Sequence, residues 1–259
     1  MSAIRRPTII LTGGSRGIGL SCLEFLLKSP IRANVVSLSR SFPQRLQELK
    51  NLHHDNLLVV KGDVKNDEDN KLAVESAIKT FGSIDGLILN SGIIHFERID
   101  SNKTLDAWRE VFEVNFFALI SMLKHSLVHL RDSKGRVVFI SSTASVLGVS
   151  SLGSYGASKA ALNSLCRTLA AEEPEITSVS LRPGVTDTEM QEELRSKGKG
   201  LMTPEVYQSC YDLFASSQIV QPDQPAEVIA NLAVRADQNL TGQFFAWDDE
   251  ELKSYRSSC

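Results

Sequence analysis

Residues 8–27 leave this chain little freedom of fold. Thr8-Ile9-Ile10-Leu11 is a short apolar, β-rich run, and Thr12-Gly13-Gly14-Ser15-Arg16-Gly17-Ile18-Gly19 follows at once. Leu20, Leu23, Leu26 and Leu27 then recur at helical spacing. A strand, a glycine turn and a helix in direct succession open a βαβ unit. The glycines let the backbone approach a diphosphate, and the new helix aims N–H groups and its positive dipole end at it. The spacing is Gly-x-x-x-Gly-x-Gly, not the commoner Gly-x-Gly-x-x-Gly. A tight strand-to-helix turn without a ligand is the alternative reading.

The rest of the chain keeps the same rhythm. Apolar runs at Thr8–Leu11, Asn34–Leu38, Asn56–Lys61, Gly86–Leu89, Arg136–Ile140, Ser178–Leu181 and Gln243–Ala246 predict strands. Helical patterns fall at Gly17–Lys28, Asp67–Phe81, Leu105–Leu130, Ser154–Ala171, Pro204–Ser216 and Ala226–Ala236. Strands alternating with helices predict an α/β fold: one Rossmann-like, doubly wound parallel sheet of about seven strands with helices on both faces. No linker or repeat divides residues 1–259, so a single domain is expected. The stretch from 185 to 203 is long and charged and holds Gly198 and Gly200. It reads either as a solvated loop or as a lid over a site at the strand ends; the lid is the favoured reading.

Bulk properties exclude several functions. A formal charge of −3 and a pI near 6.0 argue against a nucleic-acid surface. No apolar run approaches the roughly 18 residues of a membrane span. The first strand starts within about ten residues of Met1, which leaves no room for a signal peptide. Cys22, Cys166, Cys210 and Cys259 fall in no metal or redox spacing. No metal is expected, and a reducing cytoplasm is the simplest address.

The chemistry lies in the second half. Ser142 closes the strand before it, Tyr155 follows thirteen residues later, and Lys159 stands one helical turn beyond Tyr155. A phenol has an unperturbed pKa of about 10, and a nearby ammonium pulls it toward the working range. A Ser hydroxyl can hydrogen-bond a carbonyl oxygen that gains negative charge. By itself, the Tyr-Lys pair reads equally as a surface helix contact.

Residues 34–47 contain no acid, whereas an NAD site of this architecture places one after the second strand to hold the ribose hydroxyls. Arg40 stands there instead, and Arg16 lies in the glycine loop. Two guanidinium forks suit the 2′-phosphate of NADP; two solvated arginines are the alternative.

Together, Thr12 to Gly19, Asn90-Ser91-Gly92 and Ser142…Tyr155-Gly156-Ala157-Ser158-Lys159 resemble the motifs of the classical short-chain dehydrogenases/reductases, in order and across essentially the whole chain. Ser91 departs from the usual Ala. Arg182 to Met190, Met202-Thr203-Pro204 and Gly242-Gln243-Phe244-Phe245 are similar to segments of fungal benzil-reductase and sepiapterin-reductase-like carbonyl reductases. The resemblance implies catalytic roles for Ser142, Tyr155 and Lys159, and for Asn115 as part of a proton relay. Without it, Asn115 reads as a helix–helix contact on a face shared with Trp108, Phe112, Leu119 and Met122. It further implies cofactor contacts from Gly13, Ser15, Arg16, Gly17, Ile18, Gly19, Ser39, Arg40, Asp63, Val64, Asn90, Tyr155, Lys159, Pro183, Gly184, Val185 and Thr188. Asp63 would meet the adenine, or else cap the next helix. Asn90 would line the ribose and Thr188 the carboxamide. Ile93, Ile94, Ala144, Leu147, Val149, Met190 and Met202 follow these motifs and suggest a small hydrophobic carbonyl substrate, such as an aromatic ketone or diketone. His95 reads as a rim residue. A 3-oxoacyl or polyol dehydrogenase, and a non-catalytic NADP(H)-binding module, are the alternatives. A homodimer or homotetramer is expected.

Overall fold

A computed structural model of the protein describes residues 5–257. Seven strands, β1 (Thr8–Thr12), β2 (Asn34–Ser39), β3 (Leu57–Lys61), β4 (Gly86–Leu89), β5 (Arg136–Ile140), β6 (Thr177–Arg182) and β7 (Gln243–Ala246), form one parallel sheet. Their order is β3-β2-β1-β4-β5-β6-β7. The order reverses between β1 and β4, and ligands of open α/β sheets bind outside the strand ends at such a point.

Strand alternation decides which face each residue serves. Ile9, Leu11, Val35, Ile88, Val138, Ile140, Val179 and Leu181 enter one core layer. There they meet helices α1 (Gly17–Leu27), α2 (Gln44–Leu52) and, late in the chain, α9 (Asp223–Arg235). Ile10, Val36, Leu38, Leu87, Leu89, Val137 and Phe139 enter the opposite layer. That layer is covered by α3 (Asp67–Phe81), α4 (Asp106–Phe112) with its continuation α5 (Ala118–Ser133), and α6 (Gly153–Glu172). The two remaining helices, α7 (Glu189–Lys197) and α8 (Pro204–Ala215), lie outside both layers.

The structure differs from the sequence expectations in four places. Helix α2 was not expected, because it buries only Leu46 and Leu49 and shows little apolar stripe. Helix α7 occupies the charged stretch read as a lid or loop; it buries Leu194 alone. The long helix expected from Leu105 contains a π-helical turn, Glu113–Phe117, between α4 and α5. That continuous helix, Asp106–Ser133, also has an 18-residue window of mean hydropathy 1.4, long and apolar enough by composition to cross a membrane. Val114, Ala118, Leu119, Met122, Leu123 and Leu130 pack into the sheet core, which accounts for that composition. Cys22 and Cys166 are buried thiols and Cys210 is partly buried; Cys259 lies outside the described residues.

Candidate active site

A cavity of about 970 Å³ lies at the carboxyl ends of the strands, where the order reverses. The glycine loop forms one end. Gly17 starts α1 at φ +52°, a left-handed conformation that a side chain would strain. At Gly19 an added Cβ would stand 2.1 Å from the Gly13 carbonyl oxygen and 2.6 Å from Asn90 Nδ2, so loop and helix pack too closely for any side chain. Asn90 Nδ2 donates to the Thr12 and Gly13 carbonyls at 3.0 and 3.1 Å. Its nitrogen therefore braces the loop, while the residue still lines the cavity. Thr12 Oγ1 accepts from the Asn90 and Ser91 amides at 3.0 and 3.1 Å.

Arg16 is the N-cap of α1 and has no acceptor with which to cap it, so the helix presents free N–H groups beside Ser15, Ile18 and the glycines. Ser39, Arg40 and Ser41 line the cavity at the end of β2, and Ser41 Oγ donates to Ser15 Oγ at 3.2 Å. Among the described residues no carboxylate pairs with Arg16 or Arg40. The closely packed glycines, the uncapped helix end and the unpaired arginines together fit the diphosphate and phosphate groups of a dinucleotide.

Asp63 and Val64 form the adjoining wall. Asp63 Oδ1 accepts from the Lys65 amide at 3.0 Å, whereas Asn66 caps α3, which removes the helix-cap reading of Asp63. Pro183, Gly184, Val185 and Thr188 line the far side. The Thr188 methyl would lie 3.2 Å from a Cβ placed on Gly17, so this segment touches the glycine loop.

Ser142, Tyr155 and Lys159 meet in the same cavity. The Tyr155 phenol lies near the Ser142 side chain, whose Oγ accepts from the Ala144 amide at 3.2 Å. Ser141, the neighbour with which Ser142 could be confused, sends its hydroxyl to the Lys159 carbonyl at 3.4 Å. Lys159 is 3% exposed, and its Nζ donates to the Ile140 carbonyl at 2.7 Å and lies 5.7 Å from the centre of the Tyr155 ring. Burial lowers the Lys159 pKa from 10.5 to about 8. Burial raises Tyr155, and the nearby Ser142 side chain opposes that rise. This corrects the expectation that the ammonium pulls the phenol down: desolvation of the phenolate dominates. The result is a phenol that keeps its proton at neutral pH, as a proton donor must.

Asn115 does not line the cavity. It is fully buried within the π-helical turn, and its amide donates to the Ile93 carbonyl and Ser158 Oγ at 3.0 and 3.1 Å while accepting from the Ile93 amide at 2.8 Å. A Cβ on Gly92 would lie 3.4 Å from Lys159 Nζ and 3.5 Å from Asn115 Oδ1, so both groups converge on Gly92. Ser158 and the Ile93 backbone were missed as partners of Asn115, since backbone groups carry no sequence signal.

The remaining wall is largely apolar, with Glu189, Gln191, Glu205 and Ser209 as its polar side chains. Ile94, Phe96, Leu152, Leu194 and Met202 pack with Val149, Met190, Val206 and Tyr155. Leu147, expected in the pocket, is 60% exposed instead. Leu152, Leu194 and Val206 take part though the motifs did not mark them. Their signal was no more than apolar character in a charged region. His95 pairs with Glu110 at 3.1 Å, at the surface. Helices α7 and α8 cover the apolar end: the Arg195 guanidinium stacks on Phe214 at 3.9 Å, Tyr207 Oη donates to the Arg195 carbonyl at 3.0 Å, and Ser151 Oγ donates to the Leu201 carbonyl.

Residues 7–199 match a family model described as short chain dehydrogenase. An uncharacterized oxidoreductase of Schizosaccharomyces pombe is 38% identical over 95% of this chain and 98% of its own. A benzil reductase ((S)-benzoin forming) of Saccharomyces cerevisiae is 32% identical over 94% of this chain and 97% of its own. The crystal structure of a short chain dehydrogenases/reductase from Saccharomyces cerevisiae superposes with a TM-score of 0.93 at 33% identity, covering 97% of this chain and 100% of that one.

Proposed function

The chain belongs to the short chain dehydrogenase family of oxidoreductases, which use nicotinamide cofactors, and on that premise we propose an NADPH-dependent reductase of small hydrophobic ketones or diketones. The observation that carries the proposal is one continuous cavity holding Ser142, Tyr155 and Lys159 at its apolar end and two unpaired arginines at the other. Arg16 and Arg40 support NADP over NAD, with no acid after β2 to hold a ribose hydroxyl. The benzil reductase relative supports a diketone.

Bound NADPH supplies the hydride that adds to the carbonyl carbon. Ser142 Oγ donates to the carbonyl oxygen and holds it beside Tyr155. The Tyr155 phenol gives its proton to that oxygen as the C–O π bond becomes a single bond. Lys159, charged below about pH 8, lies beside the Tyr155 ring and would hold the ribose of the cofactor. Asn115 keeps the segment at Gly92 and Ile93 in register with Lys159, and reprotonation passes along that side. Residues 185–203 act as the lid. The protein works in the cytoplasm as a homodimer or homotetramer.

An NADPH-oxidation screen over aromatic diketones, quinones, pteridines, sugars and acyl thioesters tests the proposal. Turnover of aromatic ketones or diketones supports it. Turnover confined to sugars or acyl thioesters, or NADPH left unoxidised by every carbonyl, refutes it.

A further inference from the structure

Of the polar side chains on the largely apolar wall, Gln191 alone has a buried atom without a partner, and the mechanism has no use for it. It lies on α7 one turn beyond Thr188, whose carbonyl accepts from its amide at 2.9 Å. It lines the cavity beside Met190 and Leu194, its neighbours on that helix, and both of these belong to the apolar cluster around Tyr155. Gln191 Oε1 is shut off from water and has no hydrogen-bond partner. An unpaired buried acceptor carries a desolvation cost that an apolar side chain of similar size would avoid. Arg195, one turn further along α7, also has a buried unpaired nitrogen. Its guanidinium, however, is held against Phe214 at 3.9 Å and lies 3.5 Å from Asp187, outside the cavity wall.

We infer that Gln191 is a specificity-determining residue that binds a second oxygen function on the substrate, away from the carbonyl held by Ser142 and Tyr155. A primary amide both donates and accepts. Oε1 is sealed off, so Nε2, the amide atom neither sealed nor bonded, is the one that reaches a substrate, where it donates to the oxygen of a second carbonyl or hydroxyl. The apolar cluster takes the hydrocarbon part, and the preferred substrates are ketones bearing a further carbonyl or hydroxyl. This inference rests on the carbonyl-reductase reading and narrows it.

The test compares 1-phenyl-1,2-propanedione with propiophenone in wild type and Gln191→Met, with NADPH affinity measured separately by fluorescence. Comparing the two enzymes cancels the greater intrinsic reactivity of the dione. Gln191→Met should lose about tenfold in kcat/KM on the dione, the scale of one hydrogen bond. It should lose less than twofold on propiophenone, with the NADPH Kd unchanged. Equal losses on both ketones, or no loss on either, would overturn the inference and assign Gln191 to holding α7. A weakened NADPH Kd would overturn it in favour of a cofactor contact. A wild type that reduces neither ketone nor any other carbonyl would instead bring down the carbonyl-reductase reading itself.

Discussion

Burial raises the Tyr155 phenol pKa and the nearby Ser142 side chain opposes that rise, so the phenol holds its proton at neutral pH, as the proposed acid requires. Tyr155→Phe keeps the ring and removes that proton; kcat should fall at least ~100-fold with NADPH binding retained. Near wild-type turnover in single-turnover assays would exclude Tyr155 as the acid. Lys159 gives a prediction about stability. Its pKa, lowered from 10.5 to about 8, means that folding is penalised wherever the lysine is charged in both states, by about 3 kcal/mol below pH 8. Between about pH 8 and 10.5 the unfolded chain binds the extra proton, so the penalty fades as pH rises. Lys159→Met should therefore raise Tm at pH 7 and raise it less at pH 10, even as it lowers activity. A Tm gain independent of pH would mean that the ammonium is not desolvated. At the other end of the cavity, a charge-assisted bond to a 2′-phosphate is worth about 1.5–3 kcal/mol. Arg40→Asp should weaken NADPH sharply and spare or improve NADH. The check is the ratio of kcat/KM for the two cofactors; a wild type preferring NADH would remove the case for NADP.

Helix α7 is the element whose behaviour matters most. It buries one side chain, Leu194, and is held to α8 largely by Arg195 stacked on Phe214 and by the Tyr207 contact to the Arg195 carbonyl. An element with so little apolar burial opens easily, which a lid requires. Hydrogen exchange across Glu189–Lys197 should slow on adding NADPH and quicken in Arg195→Ala, while exchange in β1 and β4 stays unchanged. Exchange in α7 as slow as in the core strands would show a fixed wall. The π-helical turn Glu113–Phe117 is the opposite kind of element. It interrupts the helix at Asn115, whose amide is committed to Ile93 and Ser158, and such turns recur at functional sites.

For the whole molecule, the outer surface of the α4–α5 helix carries Leu105, Phe117 and Val128, which are 59, 52 and 53% exposed. Small residues of α6, among them Ala157, lie at the surface of the same side of the sheet. A two-fold pairing of these helices would cover them and supports the proposed homodimer or homotetramer. Sedimentation at micromolar concentration should give a multiple of 28.5 kDa in wild type and a smaller species in Phe117→Glu. A wild type that sediments at 28.5 kDa would rule the assembly out.

All seven strands were legible in the sequence within about two residues, because buried strands of a parallel sheet are short runs rich in apolar and β-branched residues set between helical patterns. The glycine loop was legible for a related reason: close backbone approach excludes side chains, as the 2.1 Å clearance at Gly19 shows. Local chemistry therefore determined the sheet, the loop and the spacing of Ser142, Tyr155 and Lys159. Helices α2 and α7 were not legible, since each buries too little to leave a periodic stripe. Only the tertiary structure decided the partners of Asn115, the exposure of Leu147, the place of Gln191 on the cavity wall and the rise in the Tyr155 pKa. Those depend on which distant segments crowd a group and exclude water from it, and no spacing along a chain specifies that.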